Sequence, residues 1–582
     1  MKRNIAFFIS TNDEKDKDFI KAKIHIENLA KDFGYFIYYK KINNIKIFII
    51  YDEKLTIFDN EDIIKWPIGN IGDLPLNYDR FLEIEVKNDK ITIRNDYAGS
   101  IPVFYSLRRY LSLSNIEPCV VFDSNTSAND FSFENIYGFL KYSHFIWDET
   151  AYKHIYNMLP DSLYEFDVEK LSVNSKYLKT VRASSENVSL SDREVANKLY
   201  ELNKYLVNRS LNWFEQIILP LSSGYDSRMI FSALTENVET KERLYCFTYG
   251  CEGSVEVEAA RRLTALFNVN WKQVELPLQF LRKDYLLKIY NVFGSSLHMH
   301  GMYQHEFFNE IAKTNVLKGN SCLTSGFMTG VPAGQHNKLL GIKNKEDRLS
   351  EAMNKFSQSN FWTVEELEEI PVFKGKGYIE KAEERFRNAF DRFEGEIYQK
   401  SVMFDVWTRQ RNFISYYPRT LEWCITTVSP HMTAEYANFF MSLSKRHLDN
   451  RLAVELMFSY HYPEIAKIIS NSNGLKSIKN PVETLIFYLA IRLQIIKFGF
   501  LLPQKYRATS FEFDTKALRN SGEEGIFPLL ENNSYVDSFM EKIITKETLC
   551  RLFQGASSGD VRAYNKLTTL QALSLSILNM EY

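Results

Sequence analysis

The chain has few cysteines, and no pattern joins them. Its 6 cysteines are scattered over 582 residues, without a C-x-x-C pair and without a Cys/His cluster of zinc-site spacing. This excludes a disulfide scaffold and a zinc ribbon, and it favours a reducing, cytoplasmic location. The first nine residues contain too short an apolar run for a signal peptide.

Neither sign of charge is in excess. Lys and Arg number 71 against 73 Asp and Glu, which gives a net charge of -2. A bulk polyanion binder of the histone kind is therefore excluded, and we expect no nucleic-acid partner. Hydrophobic residues make up 45% and charged residues 25%, proportions that exclude wholesale disorder.

Long apolar runs are scarce as well. The stretch that most resembles a membrane helix, Leu485–Leu502, contains Arg492 and Lys497. Each charge near the middle of a span costs about 2.5–3.5 kcal/mol. We therefore expect no transmembrane span and interpret the stretch as a buried or interfacial amphipathic helix, with membrane-surface contact as the alternative.

The chain divides into two regions with different predicted secondary structure. Residues 1–180 contain short β-rich segments bounded by turn residues and predict an antiparallel β-rich domain with a few helices. The clearest predicted strands there are Phe36–Tyr39, Ile45–Tyr51, Phe81–Val86 and Lys90–Arg94. From about residue 190, strands and helices alternate, which is typical of a doubly wound α/β domain with a parallel sheet. The alternating segments are Ile217–Leu221, Arg228–Leu234, Leu244–Tyr249, Ser254–Phe267 and Trp271–Leu276. Residues 340–582 are predicted to be mainly helical.

A polar loop follows the first of these predicted parallel strands and opens a helix. It reads Leu221-Ser222-Ser223-Gly224-Tyr225-Asp226-Ser227. A helix N-terminus offers unpaired N–H groups and a partial positive charge, which suit phosphate. Asp226 is unsuited to direct phosphate contact but suited to Mg²⁺ that bridges phosphates. The alternative is a plain strand-to-helix turn capped by a serine.

The loop resembles the pyrophosphate loop S-G-G-x-D-S of the asparagine synthetase family of ATP pyrophosphatases, with Ser223 in place of the first glycine. Phe247–Gly250 and Gly253–Ala260 resemble the strand end and helix start that follow in that family. Asn95–Tyr105 is similar to R-D-x-x-G-x-x-P-L-Y-Y of its N-terminal glutaminase-like domain, with Asn95 in place of Arg. Looser matches occur at Arg409–Asn412 and from Ser429 to Leu443.

The resemblance implies two domains, where length alone suggests about four. Residues 1–180 would form an α+β, Ntn-hydrolase-like β sandwich with helices, of the class II glutamine amidotransferase type. Residues 190–582 would form an α/β PP-loop ATPase domain of the adenine nucleotide α-hydrolase-like kind. The implied activity is that of an ATP-dependent carbon–nitrogen ligase. It would activate a small-molecule or peptide carboxylate as an acyl-adenylate, release pyrophosphate and join the acyl group to an amine. The implied cofactors are ATP and Mg²⁺, and a partner protein or a homodimer fits the family.

The resemblance also assigns roles to residues. Asp226 and Ser227 would be catalytic, and Asp226 would bind Mg²⁺. ATP and pyrophosphate would lie against Leu221, Ser222, Ser223, Gly224, Tyr225, Asp226, Ser227, Phe247 and Gly326.

Three departures from the family pattern bear on function. A working glutaminase of this class needs an N-terminal Cys, but position 2 is Lys2 and the first cysteine is Cys119. We therefore expect no glutamine hydrolysis, as in β-lactam synthetases and lasso-peptide cyclases. The stretch Leu323–Gly334 keeps the glycines of the family's metal loop and has no carboxylate. Either Asp226 and the phosphates hold the metal alone, or another acid reaches in, or the site no longer forms an adenylate.

The third departure is the family's lysine near the pyrophosphate, which has no clear counterpart. Asn450–Arg451, Lys476 and Lys479 lie near the expected place. Two other functions stay open: a catalytically degenerate scaffold or binding protein of the same fold, and glutamine-hydrolysing asparagine synthase itself. His298, His300 and His305 could bind a metal, although a structural role is the simpler interpretation.

Overall fold

The structure is a computed structural model that describes most of the chain. The described residues are 4–60, 62–69, 80–250, 255–274, 283–295, 308, 311–313, 316–335, 361–470, 480–482, 485–486, 489, 534–558 and 560–581. Several positions with sequence-based predictions lie outside them: Lys2, His298, His300, His305, Lys476, Lys479 and nearly all of Leu485–Leu502.

The N-terminal part contains two six-stranded antiparallel sheets. The strands are β1 Asn4–Ser10, β2 Phe36–Ile42, β3 Ile45–Tyr51, β4 Phe58–Asp59, β5 Ile63–Gly69, β6 Phe81–Lys87, β7 Lys90–Asn95, β8 Phe104–Ser106, β9 Ser112–Ser114, β10 Tyr156–Asn157, β11 Ser162–Asp167 and β12 Ser172–Tyr177. The first sheet has the order β10-β8-β9-β1-β3-β2 and the second β12-β11-β7-β6-β5-β4. The helices of this part are α1 Lys17–Phe33, α2 Glu117–Asp123 and α3 Phe133–Tyr142, with a 3-10 turn at Ala128–Asp130.

The two sheets pack face to face over an aliphatic core. Ile47 and Ile49 of the first sheet belong to the same buried cluster as Ile84 and Ile93 of the second. Strand alternation sends the neighbouring side chains to opposite faces, so Phe48 of the first sheet joins a cluster with helix α1. The predicted antiparallel β-rich part is therefore confirmed, while its assignment to the Ntn type stays a prediction.

The turn after β7 explains the Asn95–Tyr105 motif in structural terms. The buried Asp96 carboxylate accepts hydrogen bonds from the backbone N–H groups of Phe81, Ala98 and Ser100 and from the Ser100 hydroxyl, at 2.8–3.3 Å. Burial raises the pKa of Asp96, and the Ser100 bonds oppose that shift. Arg80 donates to the Ser100 hydroxyl and forms an ion pair with Glu422 far along the chain. The motif thus ties the two sheets to the C-terminal part.

The third sheet is parallel and has five strands in the order β15-β14-β13-β16-β17. Its strands are β13 Gln216–Pro220, β14 Leu244–Tyr249, β15 Asn270–Val274, β16 Ser321–Thr324 and β17 Thr426–Val428. The connecting helices are α4 Asp192–Leu211, α5 Tyr225–Thr235, α6 Val238–Arg243, α7 Val255–Phe267 and α8 Lys283–Phe293. Helix α4 begins at a capping box formed by Ser191 and Glu194. Pro220 ends its strand, where a missing N–H is tolerated. The alternation of strands and helices confirms the predicted α/β pattern.

The described residues beyond 361 are mainly helical, as predicted. Their helices are α9 Val364–Glu368, α10 Tyr378–Asp391, α11 Ile397–Asp405, α12 Tyr416–Glu422, α13 Ala434–Met441, α14 Lys445–Leu448, α15 Leu452–His461, α16 Pro463–Ala466, α17 Ser534–Ile543, α18 Lys546–Ser557 and α19 Val561–Glu581. A 3-10 turn spans Asp449–Arg451. Within the described part of the chain, no helix is both long and apolar enough to span a membrane.

A nine-residue π-helix, Val406–Ile414, joins α11 to α12. Such helices are rare and frequently mark functional sites. Its buried Arg411 donates to the backbone carbonyls of Trp147 and Met158, and Asn412 donates to the carbonyl of Phe145. These bonds hold the loop after α3 against the C-terminal part.

We expect Asp96→Ala to loosen the turn after β7, because four donors would lose their buried acceptor. A buried donor without an acceptor costs about 1–3 kcal/mol. Hydrogen exchange of peptides covering residues 81–106 should become at least about tenfold faster, since about 1.4 kcal/mol already corresponds to tenfold in an equilibrium. The exposed Glu165→Ala, on the neighbouring strand β11, should leave that exchange unchanged. Equal protection in both variants would contradict the role given to Asp96.

Candidate functional site

A cavity of about 410 Å³ opens at the carboxyl edge of the parallel sheet. It lies where β13, β14 and β16 end, the usual position of ligands in open parallel sheets. Its lining residues are Pro220, Leu221, Ser222, Asp226, Ser227, Phe247, Thr248, Tyr249, Glu256, Leu323, Thr324, Ser325, Gly326, Phe327, Ile414, Tyr417, Pro418 and Leu421. Its volume falls within the range of small-molecule sites.

The structure brings together most of the site residues predicted from the sequence. Six of them line the cavity: Leu221, Ser222, Asp226, Ser227, Phe247 and Gly326. The other three, which lie in the same loop, do not. Ser223 and Tyr225 are buried, and Gly224 is the N-cap of α5. The Tyr225 hydroxyl points to the other side of the helix, where it donates to Glu455 at 3.0 Å.

The polar loop is held in shape by its own side chains. The Ser222 hydroxyl accepts from the backbone N–H of Gly224, and the Ser227 hydroxyl accepts from the N–H of Ser222, both at 3.1 Å. Gly224 supplies no side chain to cap α5. The start of the helix, with its partial positive charge, is therefore not closed by its N-cap residue.

Adjacent strands form the opposite side of the cavity. The Leu221 N–H donates to the Phe247 carbonyl at 2.7 Å, and the Thr248 hydroxyl donates to the Leu221 carbonyl at 2.6 Å. Trp271 in turn donates to the Thr248 hydroxyl at 2.9 Å. The backbone of Leu221 and Phe247 is thus fixed by the sheet at the cavity wall.

Asp226 forms an ion pair with Arg451. The Arg451 guanidinium lies 3.3 Å from the Asp226 carboxylate, and about a third of the Asp226 side chain is exposed to the cavity. Burial raises the pKa of Asp226, and the charge of Arg451 opposes that shift. The guanidinium also stacks over the ring of Tyr225 at 4.8 Å. Arg451, one of the cations near the expected pyrophosphate position, therefore lies beside the polar loop Leu221–Ser227.

Glu256 is a second carboxylate at this cavity, and its role was not predicted. It accepts a hydrogen bond from the Ser223 N–H at 2.5 Å, and burial raises its pKa while this bond opposes the shift. The sequence offered a signal. Neighbouring parallel strands end side by side, so the helix start after β14 must lie next to the loop after β13. The resemblance instead places the family's acid in the loop after β16, where this chain has no carboxylate.

The glycine-containing loop after β16 packs directly onto Asp226. A Cβ atom on Gly326 would lie 2.9 Å from the Asp226 Cβ, and one on Gly330 would lie 2.9 Å from an Asp226 carboxylate oxygen. Both distances are too short for real contacts, so glycine is needed for this approach. Thr324 and Ser325 line the cavity, whereas Thr329 does not.

Thr329 belongs to a buried network instead. Its hydroxyl is 2.8 Å from Nδ1 of His431, whose Nε2 is 2.7 Å from the Asn203 side-chain oxygen. Burial lowers the pKa of His431 to about 3, so the ring stays neutral at ordinary pH. The loop after β16 is thereby anchored to α4 and to the segment before α13.

Two carboxylates, Asp226 and Glu256, fit the needs of Mg²⁺ bound together with phosphates, because that ion usually takes one or two protein carboxylates. A metal held by protein alone does not fit. Among the described residues, no three His, Cys, Asp or Glu side chains are grouped closely enough to hold one.

A second, much smaller cavity lies at the start of β1. Its volume is about 30 Å³, and its lining includes Asn4, Gly69, Arg419 and Trp423. A space of this size holds a water molecule.

Comparisons with known proteins do not assign the chain to a family. No family model and no curated protein matches the chain. Among solved structures, an NH3-dependent NAD synthetase from Campylobacter jejuni subsp. jejuni NCTC 11168, in complex with the nitrate ion, is similar at 16% identity. The match covers 36% of this chain and 99% of that one, with a TM-score of 0.18. Such a score is too low to support an argument about fold or function.

We expect His431→Gln to make the protein less stable at pH 7 but less sensitive to acid. The pKa of His431 is about 3 in the folded chain and about 6.5 when exposed, so the unfolded state binds more protons between those values. Stability from this group is complete above about pH 6.5 and is lost as the pH falls towards 3. Thermal unfolding midpoints measured from pH 7 to pH 5 should fall less in the variant.

The control is His461→Gln, at the half-buried end of α15, where burial also lowers the pKa of the ring but the side chain is less deeply buried than His431. This variant should therefore change the pH dependence less than His431→Gln does. An unchanged slope in His431→Gln would show that the buried ring is not the group that titrates.

Proposed function

We propose that the protein is an ATP-dependent ligase that activates a carboxylate as an acyl-adenylate and passes the acyl group to an amine. The observation that carries this proposal is the cavity at the carboxyl edge of the parallel sheet, with a serine-rich helix start and two carboxylates, Asp226 and Glu256, in its wall. It combines donors for phosphate oxygens with ligands for the cation that accompanies them.

The residues divide the work by their positions. The start of α5 and the hydroxyls of Ser222 and Ser227 would bind phosphate oxygens, and the fixed backbone of Leu221 and Phe247 would border the adenosine. Mg²⁺, where bound by Asp226 and Glu256, would neutralise phosphate charge. The carboxylate attacks the α-phosphorus, the bond to the leaving pyrophosphate breaks, and the amine then displaces AMP. Arg451, beside Asp226, would balance charge as pyrophosphate leaves.

Hydrolysis of glutamine is not part of the proposal. The first cysteine of the chain is Cys119, and burial raises the pKa of its thiol, which disfavours a thiolate nucleophile there. The nitrogen would therefore come from an amine that arrives already free. Asparagine synthesis with glutamine as the nitrogen donor is the less favoured alternative.

A specific contact favours a second candidate, a binding protein without catalysis on the same fold. Arg451 already neutralises Asp226, which lowers the need for a cation there. If this ion pair persists when nucleotide binds, Mg²⁺ has only Glu256 as a ligand in this cavity wall.

The first test is binding of ATP by calorimetry, with and without Mg²⁺. Asp226→Asn and Glu256→Gln should each weaken Mg-ATP binding by about tenfold or more, because each removes a charged ligand while preserving shape. Glu258→Gln changes a carboxylate two residues further along α7 that pairs with Arg261, and it should bind as wild type does. Absence of ATP binding by the wild type would end both nucleotide proposals.

The second test separates the ligase from the binding protein. Pyrophosphate release from Mg-ATP is measured over a panel of carboxylates with ammonia or hydroxylamine as the amine. The ligase predicts release that Asp226→Asn reduces by at least about a hundredfold. Binding of Mg-ATP without release for any carboxylate would favour the second candidate. So would an Arg451→Gln variant that binds Mg-ATP more tightly than wild type and still releases no pyrophosphate.

A further inference from the structure

A larger cavity lies between the N-terminal part and the helical part, away from the parallel sheet. Its volume is about 850 Å³, and its walls come from the segment 132–156 and from helix α10 with the residue that follows it. It shares no lining residue with the cavity at Asp226. It is therefore a separate space, and the proposed function makes no use of it.

Three of the six charged groups in its wall are paired with one another. Arg385 of α10 bonds to Glu149 at 2.7 Å and forms an ion pair with Glu134, which also binds Lys381 at 2.9 Å. Arg385 donates to the Asn135 side chain as well, at 2.7 Å. This network closes one wall of the cavity, where burial, helped by the neighbouring Asp148 charge, raises the pKa of Glu149 to about 8.

Asp148 is the third carboxylate in the cavity wall, beside Glu134 and Glu149. It lines the cavity and is half-buried, and among the described residues no cationic group lies within ion-pair distance of it. Burial raises the pKa of Asp148, while its own backbone N–H and the charges of Arg411 and Arg392 oppose that shift. A carboxylate in this position gains further from a cation brought into direct contact with it.

Arg392 is the complementary cation. Its guanidinium stacks over the rings of Trp147 at 4.9 Å and Tyr177 at 5.6 Å, and within the described part of the chain it forms no ion pair. Stacking fixes the group and leaves its N–H edge for an anion. Asp148 and Arg392 thus face one cavity with opposite charges that are not bonded to each other, and a gap separates them.

The backbone at this wall is held in an unusual conformation. Trp147 has φ +68°, a value that a bulky residue rarely adopts. Arg411 of the π-helix fixes it by donating to the Trp147 carbonyl at 2.9 Å. Backbone of this kind is commonly kept at ligand sites, and here it sets the side chains of Trp147 and Asp148 along the cavity.

We propose that this cavity binds a free amino acid, with its ammonium group against Asp148 and its carboxylate against Arg392. A zwitterion bridges the gap between Asp148 and Arg392, which neither a simple amine nor a simple anion does. The third charged group without an ion pair in the described part of this wall, Lys153, donates to the Asn129 carbonyl at 3.0 Å. The exposed ring of Tyr156 and the buried Ile155, both in the lining, offer apolar contact to a side chain.

The test measures binding of each of the twenty common amino acids by calorimetry and by the shift in thermal unfolding midpoint. At least one should bind, and its N-acetyl and carboxamide derivatives should each bind about tenfold or more weakly. Asp148→Asn and Arg392→Gln should each reduce affinity by a similar factor. Asn388→Trp, an exposed cavity-lining position, should block binding by filling the space.

Two matched controls lie outside this cavity. Asp167→Asn, on β11, and the exposed Arg182→Gln should bind as wild type does. The proposal is overturned if none of the twenty amino acids binds, or if binding survives all three cavity variants. Equal binding of the carboxamide would also overturn it, because that result would indicate a site for an amine alone. Mg-ATP binding, measured in the same variants, should stay at the wild-type level, so failure here is distinguishable from failure of the nucleotide proposal.

Discussion

The charge of Asp226 is the constraint around which the parallel-sheet site is arranged. A carboxylate that is two-thirds buried needs a compensating charge, and Arg451 supplies it from a turn more than two hundred residues away. Arg451 has φ +59°, outside the helical range, and its guanidinium lies on the ring of Tyr225. Gly326, in the loop after β16, packs against the same residue and must lack a side chain, because a Cβ there would lie 2.9 Å from the Asp226 Cβ. The loops after two strands and the turn before α15 thus depend on one another through a single side chain.

The sequence predicted those parts of the fold that follow from local pattern. The two-residue alternation in Phe81–Val86 and Lys90–Arg94 predicted two strands, and these strands pair with each other. The pattern could not predict what Asp96 does, because its partners Phe81 and Ser100 meet it only once β6 and β7 are paired. Nor does the hydrophobic period reveal the π-helix, because nine residues are too short a segment to separate its period from that of an α-helix.

The candidate site divides in the same way. The loop from Leu221 to Ser227 could be recognised because its residues are adjacent in sequence, and four of the seven do line the cavity. Tyr225 points into the core, as the turn of the helix requires. Glu256 and Arg451 come from separate elements, so only the order of strands in the sheet and the packing of α15 bring them in. The large cavity at Asp148 had no signal in the sequence, because its walls come from two segments that are far apart in the chain and meet only in the folded structure.

The π-helix has a consequence for how the chain tolerates changes in length. Arg411 in its middle holds the wall of one cavity, Ile414 at its end lies in the wall of the other, and Tyr417 follows one turn later. Loss of one residue inside this π-helix would change the hydrogen-bonding register of the helix and rotate the residues downstream relative to Arg411. Tyr417 would then leave its cavity while Arg411 stayed in place. The spacing between these residues is therefore fixed by two cavities at once, whereas a surface loop of the same chain can gain or lose residues at little cost.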